Sequence, residues 1–199
     1  MTVTKTILPG VLVLEPRIFS DARGEFWEYF RADAYAAMGI DVPFVQDNVS
    51  ISRRGVLRGL HFQEPHGQAK LVQAIRGEVF DVAVDVRVGS PTFGQAVWST
   101  LSEANRRQMF LPPGLAHGFV VTSAEAVVAY NCSDYSAPAY EHSLRWNDPA
   151  LGIPWPVHSP ILSPKDEQAP LLSALGDQLP RFRQDSHPEP SEGSAVVGD

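Results

Sequence analysis

The densest group of residues able to move protons runs from Gly55 to Lys70, GVLRGLHFQEPHGQAK. His61 follows Arg58 with Gly59 and Leu60 between them, and Lys70 opens the next apolar stretch. Cationic neighbours favour the neutral imidazole, the form in which histidine acts as a general base. On a regular strand Arg58 and His61 point to opposite faces, so they share a site only if Gly59 introduces a bulge. The competing reading is a satisfied structural histidine beside a surface loop. A second group is Pro112-Pro113-Gly114-Leu115-Ala116-His117-Gly118-Phe119. Here a tight Pro-Gly turn leads into a strand, which either presents His117 at a barrel mouth or half-buries it beside the turn.

The histidines lack the spacing of a metal site. Small metal-binding barrels often use two histidines separated by one residue, and here that pair is replaced by His61-Phe62-Gln63. His66, His142 and His158 lie in loop-like stretches without ligand spacing, so no metal is expected. Tyr130 ends an apolar run and reads as packing or as an acid, and Tyr135 follows in a turn-rich stretch. Asp166, in Ser163-Pro164-Lys165-Asp166, reads from its surroundings as a charge on a surface loop. There is no glycine-rich phosphate loop, Gly-x-Ser-x-Gly elbow or Cys/His nucleophile pattern.

The elements that must carry these residues are mostly strands. Val79 to Val88 alternates with period two: Phe80, Val82, Val84, Val86 and Val88 fall on one face, Asp81, Asp85 and Arg87 on the other. Val11 to Leu14, Leu71 to Ile75, Gln95 to Leu101 and Ala126 to Tyr130 are further strands. Arg76-Gly77-Glu78, Gly89-Ser90-Pro91 and Pro112-Pro113-Gly114 read as turns. Helical signals are confined to Arg31 to Met38, stopped by Gly39, and Pro170 to Leu175, followed by Gly176. Many short, closely spaced strands predict an all-β sandwich or jelly-roll barrel.

The 199 residues suffice for one domain with a substantial core. The composition changes after Leu179, so residues 1–179 read as the domain and 180–199 as a polar, mobile tail. A net charge of -7 offers no footprint for DNA or RNA, yet a few local arginines can still hold a pyrophosphate. No apolar run is long enough to span a bilayer, and Met1 to Gly10 does not read as a signal peptide. The single cysteine, Cys132, excludes an internal disulfide and points to the cytoplasm.

Taken together, Arg58-Gly-Leu-His61-Phe-Gln63 and Pro113-Gly-Leu-Ala-His117-Gly-Phe strongly resemble the dTDP-4-dehydrorhamnose 3,5-epimerase family. Five other stretches agree in order and spacing: Asp21-Ala-Arg23-Gly-Glu-Phe, Phe44-Val-Gln46-Asp-Asn48, Ser90-Pro-Thr-Phe-Gly94, Trp146-Asn-Asp148-Pro and Ser163-Pro-Lys165-Asp166. So does Gly77-Glu-Val-Phe-Asp81-Val-Ala-Val-Asp85. The resemblance runs from Lys5 to Leu172.

The resemblance implies a cupin-type jelly roll with a few short peripheral helices, a homodimer, and neither metal nor cofactor. It implies dTDP-4-dehydro-6-deoxy-D-glucose as substrate and dTDP-4-dehydro-L-rhamnose as product. His61 matches the family's general base and Asp166 the carboxylate paired with it. Lys70 matches the residue that steadies the enolate oxygen, and Tyr130 the acid on the opposite face. Arg23, Glu28, Gln46, Asn48, Arg58, His117, Glu141 and Lys165 match positions that contact substrate. Tyr135 matches the tyrosine that stacks on thymine. Three other readings are an epimerase acting at C3 alone or on another deoxysugar, a metal-dependent cupin, and a non-catalytic sugar-nucleotide binding module.

Overall fold

A computed structural model describes residues 1–182. Among them thirteen strands follow one another: β1 (Thr2–Lys5), β2 (Leu12–Glu15), β3 (Phe19–Asp21), β4 (Gly24–Phe26), β5 (Gln46–Arg53), β6 (Leu57–Gln63), β7 (Lys70–Arg76), β8 (Glu78–Asp85), β9 (Ala96–Ser102), β10 (Gln108–Leu111), β11 (Leu115–Val121), β12 (Glu125–Cys132) and β13 (Glu141–Ser143). They form a six-stranded sheet, β1-β2-β10-β7-β12-β5, and a five-stranded sheet, β13-β6-β11-β8-β9. All paired strands are antiparallel. The two sheets face each other as a cupin-type jelly-roll barrel. β3 and β4 form a separate hairpin.

Alternate residues of each strand enter or leave the barrel. Val72, Ala74, Val79, Ala83, Phe119, Val121, Ala126 and Val128 meet between the sheets. The opposite face of β8, with Val82 and Val84, packs under Leu144, Leu151, Leu172 and Leu175. Both faces of β8 are therefore buried, and Asp81 and Asp85, on the polar side of its alternation, are fully enclosed.

β8 stops at Asp85, short of the predicted Val88, because the Asp85 carboxylate gathers the chain that follows. It accepts from the Arg87 backbone N–H at 3.0 Å, from Ser90 Oγ at 2.6 Å and from Thr92 Oγ1 at 2.7 Å. The Arg87 guanidinium closes this turn with a bond of 2.8 Å to the same carboxylate.

The helix expected over Arg31 to Met38 forms as α1 (Ala32–Ala36), with Tyr35 buried and Gly39 ending it at a φ of +89°. Pro170 to Leu175 does not form the expected helix. It forms a 3₁₀ turn, Leu172–Ala174, followed by another at Gly176–Gln178. Instead it fixes Leu172 and Leu175 against the outer apolar layer. Pro164–Glu167 forms a one-turn helix, α2, where a loop was expected.

The start of the predicted tail is also held: the Val88 N–H donates to Pro180 C=O at 2.8 Å, and the Phe182 N–H donates to Val88 C=O at 2.9 Å. The rest of that tail, 183–199, lies outside the described residues. No described helix is long and apolar enough to cross a membrane.

Candidate active site

One cavity of about 440 Å³ opens between the two sheets. From the five-stranded sheet, Arg58 and His61 (β6), His117 (β11) and Glu141 (β13) line it. From the six-stranded sheet come Gln46 and Asn48 (β5), Lys70 (β7) and Tyr130 (β12). The imidazole and the phenol thus belong to opposite walls.

The bulge required at Gly59 is present. His117 pairs with His61, whereas Phe119 pairs with Arg58, so the register shifts between them and turns both Arg58 and His61 into the cavity. Gly59 has a φ of +124°, in the region that favours glycine, and an added Cβ would lie 2.5 Å from Gly118 Cα. Only a residue without a side chain permits this approach of β6 to β11. Arg58 is steadied by a 3.0 Å bond from its Nε to Ser52 Oγ.

His61 Nε2 lies 2.5 Å from Asp166 Oδ1. Asp166 is not the surface charge its neighbours suggested: its side chain is 3 % exposed. The reason is α2. Ser163 caps the helix by accepting from the Asp166 N–H at 3.2 Å, and Pro164 occupies the first turn. The Ser-Pro-x-Asp run carried that signal. The cap aims the carboxylate inward behind His61. Burial pushes the Asp166 carboxyl up, but the His61 bond and charge, Ser163 and the Gly59 N–H outweigh it, and the group lies below the usual carboxylate range.

The other nitrogen of His61, Nδ1, faces Glu141 Oε1 at 3.8 Å, and Glu141 Oε2 binds Lys165 Nζ at 2.7 Å. Across the cavity, burial raises the Tyr130 hydroxyl above its ordinary value, with the Cys132 and Glu141 charges adding and Arg58 opposing. Tyr130 therefore keeps its proton at neutral pH. Burial lowers the Lys70 ammonium, against the pull of Cys132, Glu141 and Asp81. His117 rests on a second buried carboxylate, its Nε2 lying 2.9 Å from Asp81 Oδ2.

Sequence reasoning had missed Asp81 as a partner of His117, although its place in the alternation of β8 marked it. It had also passed over Gln68, Ser136 and Ser163 in the cavity wall. Gln63 lines the same wall and ties the loop beyond β12, donating to Tyr135 C=O at 3.3 Å and accepting from the Ala137 N–H at 2.8 Å.

Not every predicted residue converges. Arg23 sits on the β3–β4 hairpin, 91 % exposed and paired with Asp21 at 2.6 Å. Glu28 lies by Arg31 in another surface groove. Tyr135 is 66 % exposed. Lys165 joins the site through Glu141. Among the described residues, no three His, Cys, Asp or Glu side chains converge as metal ligands.

Such a barrel, with an imidazole–carboxylate pair on one wall and a phenol and an ammonium on the other, defines a cupin-type protein equipped for proton transfer from two sides. The chain belongs to the dTDP-4-dehydrorhamnose 3,5-epimerase family, whose model matches residues 5–174. It is 54 % identical over 170 residues to the dTDP-4-dehydrorhamnose 3,5-epimerase of Pseudomonas aeruginosa, covering 84 % of this chain and 94 % of that one. A dTDP-4-dehydrorhamnose 3-epimerase of Streptomyces niveus is 42 % identical over 199 residues, covering 96 % and 95 %. The crystal structure of a Legionella pneumophila dTDP-6-deoxy-D-glucose-3,5-epimerase in complex with dTDP-4-keto-L-rhamnose superposes with a TM-score of 0.89 at 49 % identity, covering 92 % of this chain and 98 % of that one.

Proposed function

We propose that this chain inverts C3 and C5 of dTDP-4-dehydro-6-deoxy-D-glucose to give dTDP-4-dehydro-L-rhamnose. The observation that carries this reading is the placement of His61 and Tyr130 on opposite walls of one cavity. Both carbons are alpha to the C4 ketone, so each C–H is acidified by the carbonyl. His61 removes the proton from one face, its electron pair moves into the enolate, and Tyr130 returns a proton to the other face. Asp166 holds the imidazole and stabilises its charged form. Lys70 donates to the developing C4 oxyanion. The chemistry requires no redox cofactor.

Arg58, Gln46, Asn48 and His117 would hold the nucleotide and the sugar, and remote contacts of this kind orient the reacting ring. Arg23 and Glu28 are separated from the cavity of their own chain. That separation supports a homodimer in which they serve the partner's cavity. The one thiol, Cys132, is free and buried, which suits a reducing cytoplasm.

A second reading is inversion at C3 alone, favoured by the identity with the Streptomyces niveus 3-epimerase. The test is incubation with the 4-keto sugar nucleotide in D₂O, with deuterium located by NMR. Label at both C3 and C5 is expected. Label at C3 alone selects the second reading, and no label at either carbon defeats both.

A further inference from the structure

Each inversion leaves the catalytic pair in the wrong protonation state for the next. The proton from carbon resides on His61, the proton given to carbon came from Tyr130, and the pair now stands as imidazolium and phenolate. A second inversion of the same kind requires His61 to lose its proton and Tyr130 to regain one. The carboxylate behind His61 is a poor exit, because Asp166 is bonded to Nε2 and sealed from water. Bound sugar would cover the imidazole from the cavity side.

Glu141 lies on the remaining side. It pairs with Gln63 across β13 and β6, while Ser143 pairs with His61, so Glu141 and His61 are diagonal neighbours on one face. Its two oxygens have different partners: Oε1 is 3.8 Å from His61 Nδ1, and Oε2 is 2.7 Å from Lys165 Nζ. The separation from Nδ1 is about one ångström beyond a hydrogen bond, which a small side-chain rotation closes. The Glu141 side chain is 34 % exposed and that of Lys165 44 %, so the line from His61 through Glu141 runs outward to water.

We propose that Glu141 relays the proton from His61 Nδ1 to solvent between the two inversions. This rests on His61 being the base of a double epimerisation. In the step, the N–H bond of the imidazolium breaks, an O–H bond forms on Glu141, and the proton passes to water. Tyr130 phenolate takes a proton from water, so the pair returns to its starting state without net change. Burial pushes the Glu141 carboxyl up, but Lys165, His61 and Lys70 outweigh it and hold the group below its ordinary value. Glu141 is thus ionised when the proton arrives and releases it readily.

The test uses substrate deuterated at C3 or at C5, in H₂O, with the full-length wild type and Glu141→Gln, each shown to bind dTDP. The readouts are label lost from recovered substrate, single-turnover deprotonation, and kcat against added formate buffer. The wild type should lose label to solvent. Glu141→Gln should deprotonate in a single turnover at a near wild-type rate, yet return more label to the carbon it came from. Its kcat should fall about 10-fold or more and rise with formate concentration. Glu141→Asp, which keeps a carboxylate, should restore part of the label loss.

Label loss and buffer independence like the wild type in Glu141→Gln would overturn the relay. So would a single-turnover deprotonation rate that falls as far as kcat, which would place Glu141 in the chemical step. Failure of the wild type itself to exchange either position would instead sink the double epimerisation on which the relay rests.

Discussion

His61 and His117 are paired directly across β6 and β11, yet each imidazole leans on its own buried carboxylate, Asp166 for the first and Asp81 for the second. Asp166 comes from a helix packed behind the barrel, whereas Asp81 comes from the neighbouring strand β8. The two dyads therefore differ in setting: the His61 side chain is 24 % exposed and the His117 side chain 8 %.

That difference separates two substitutions. His61→Asn should abolish exchange at both carbons, with kcat falling on the order of 10²–10⁴-fold, the usual worth of a positioned base. His117→Asn should mainly raise KM, as expected of a group that binds ground and transition states alike. Steady-state kinetics of the two variants, with exchange followed by NMR, checks the split. A comparable loss of kcat in His117→Asn would move that histidine into the chemistry.

Tyr130→Phe keeps the ring that packs against the barrel core and removes only the hydroxyl. Substrate should still bind, and His61 should still take a proton. Deuterium from solvent should then return with retention while inversion at C5 disappears. Proton NMR of recovered sugar nucleotide distinguishes exchange with retention from inversion.

Gly59→Ala should strike both stability and activity. The new Cβ would stand 2.5 Å from Gly118 Cα and 2.7 Å from His117 C=O, at a φ of +124°. Overpacking together with an unfavourable backbone region amounts to about 2–5 kcal/mol. Relief requires β6 and β11 to separate, which withdraws His61 and Arg58. Urea midpoints and kcat measured on the same preparation should fall together.

Asp85→Ala leaves the Arg87 guanidinium enclosed without its partner and should cost about 3–5 kcal/mol. The wild-type contribution should also depend on pH. Burial pushes the Asp85 carboxyl up, but Arg87, Ser90 and Thr92 outweigh it and hold it below the ordinary range. In the unfolded chain the group returns to about 3.9. Its stabilisation is therefore complete above about pH 4 and fades as pH falls through the lowered folded value. Melting temperatures of wild type and Asp85→Ala should converge as the solution is acidified below that point.

The alternation in Val79 to Val88 identifies β8 but cannot say that its polar face is the one turned into the barrel, because alternation carries no information about what covers each face. The Arg58-Gly59-Leu60-His61 problem was posed correctly from strand geometry, and its solution needed the pairing of β6 with β11. The surroundings of Asp166 alone suggest a surface charge because a one-turn helix has no periodicity to detect; the family motif, and not local pattern, pairs it with His61, as the structure does. Arg23 matches its motif, yet it stands on the exposed β3–β4 hairpin away from the cavity of its own chain, since a motif records residue order and not where the fold carries a side chain.

The division of the cavity between two sheets has an evolutionary consequence. On the proposed roles, deprotonation would belong to one sheet and reprotonation to the other, so drift that shifts β12 would alter which carbon Tyr130 can reach while leaving His61 and Asp166 undisturbed. The number of stereocentres inverted would then be a trait that selection can adjust separately from the base that takes the proton. A lineage on this scaffold can pass between double and single inversion by changing how two halves abut, without rebuilding the half that breaks the carbon–hydrogen bond.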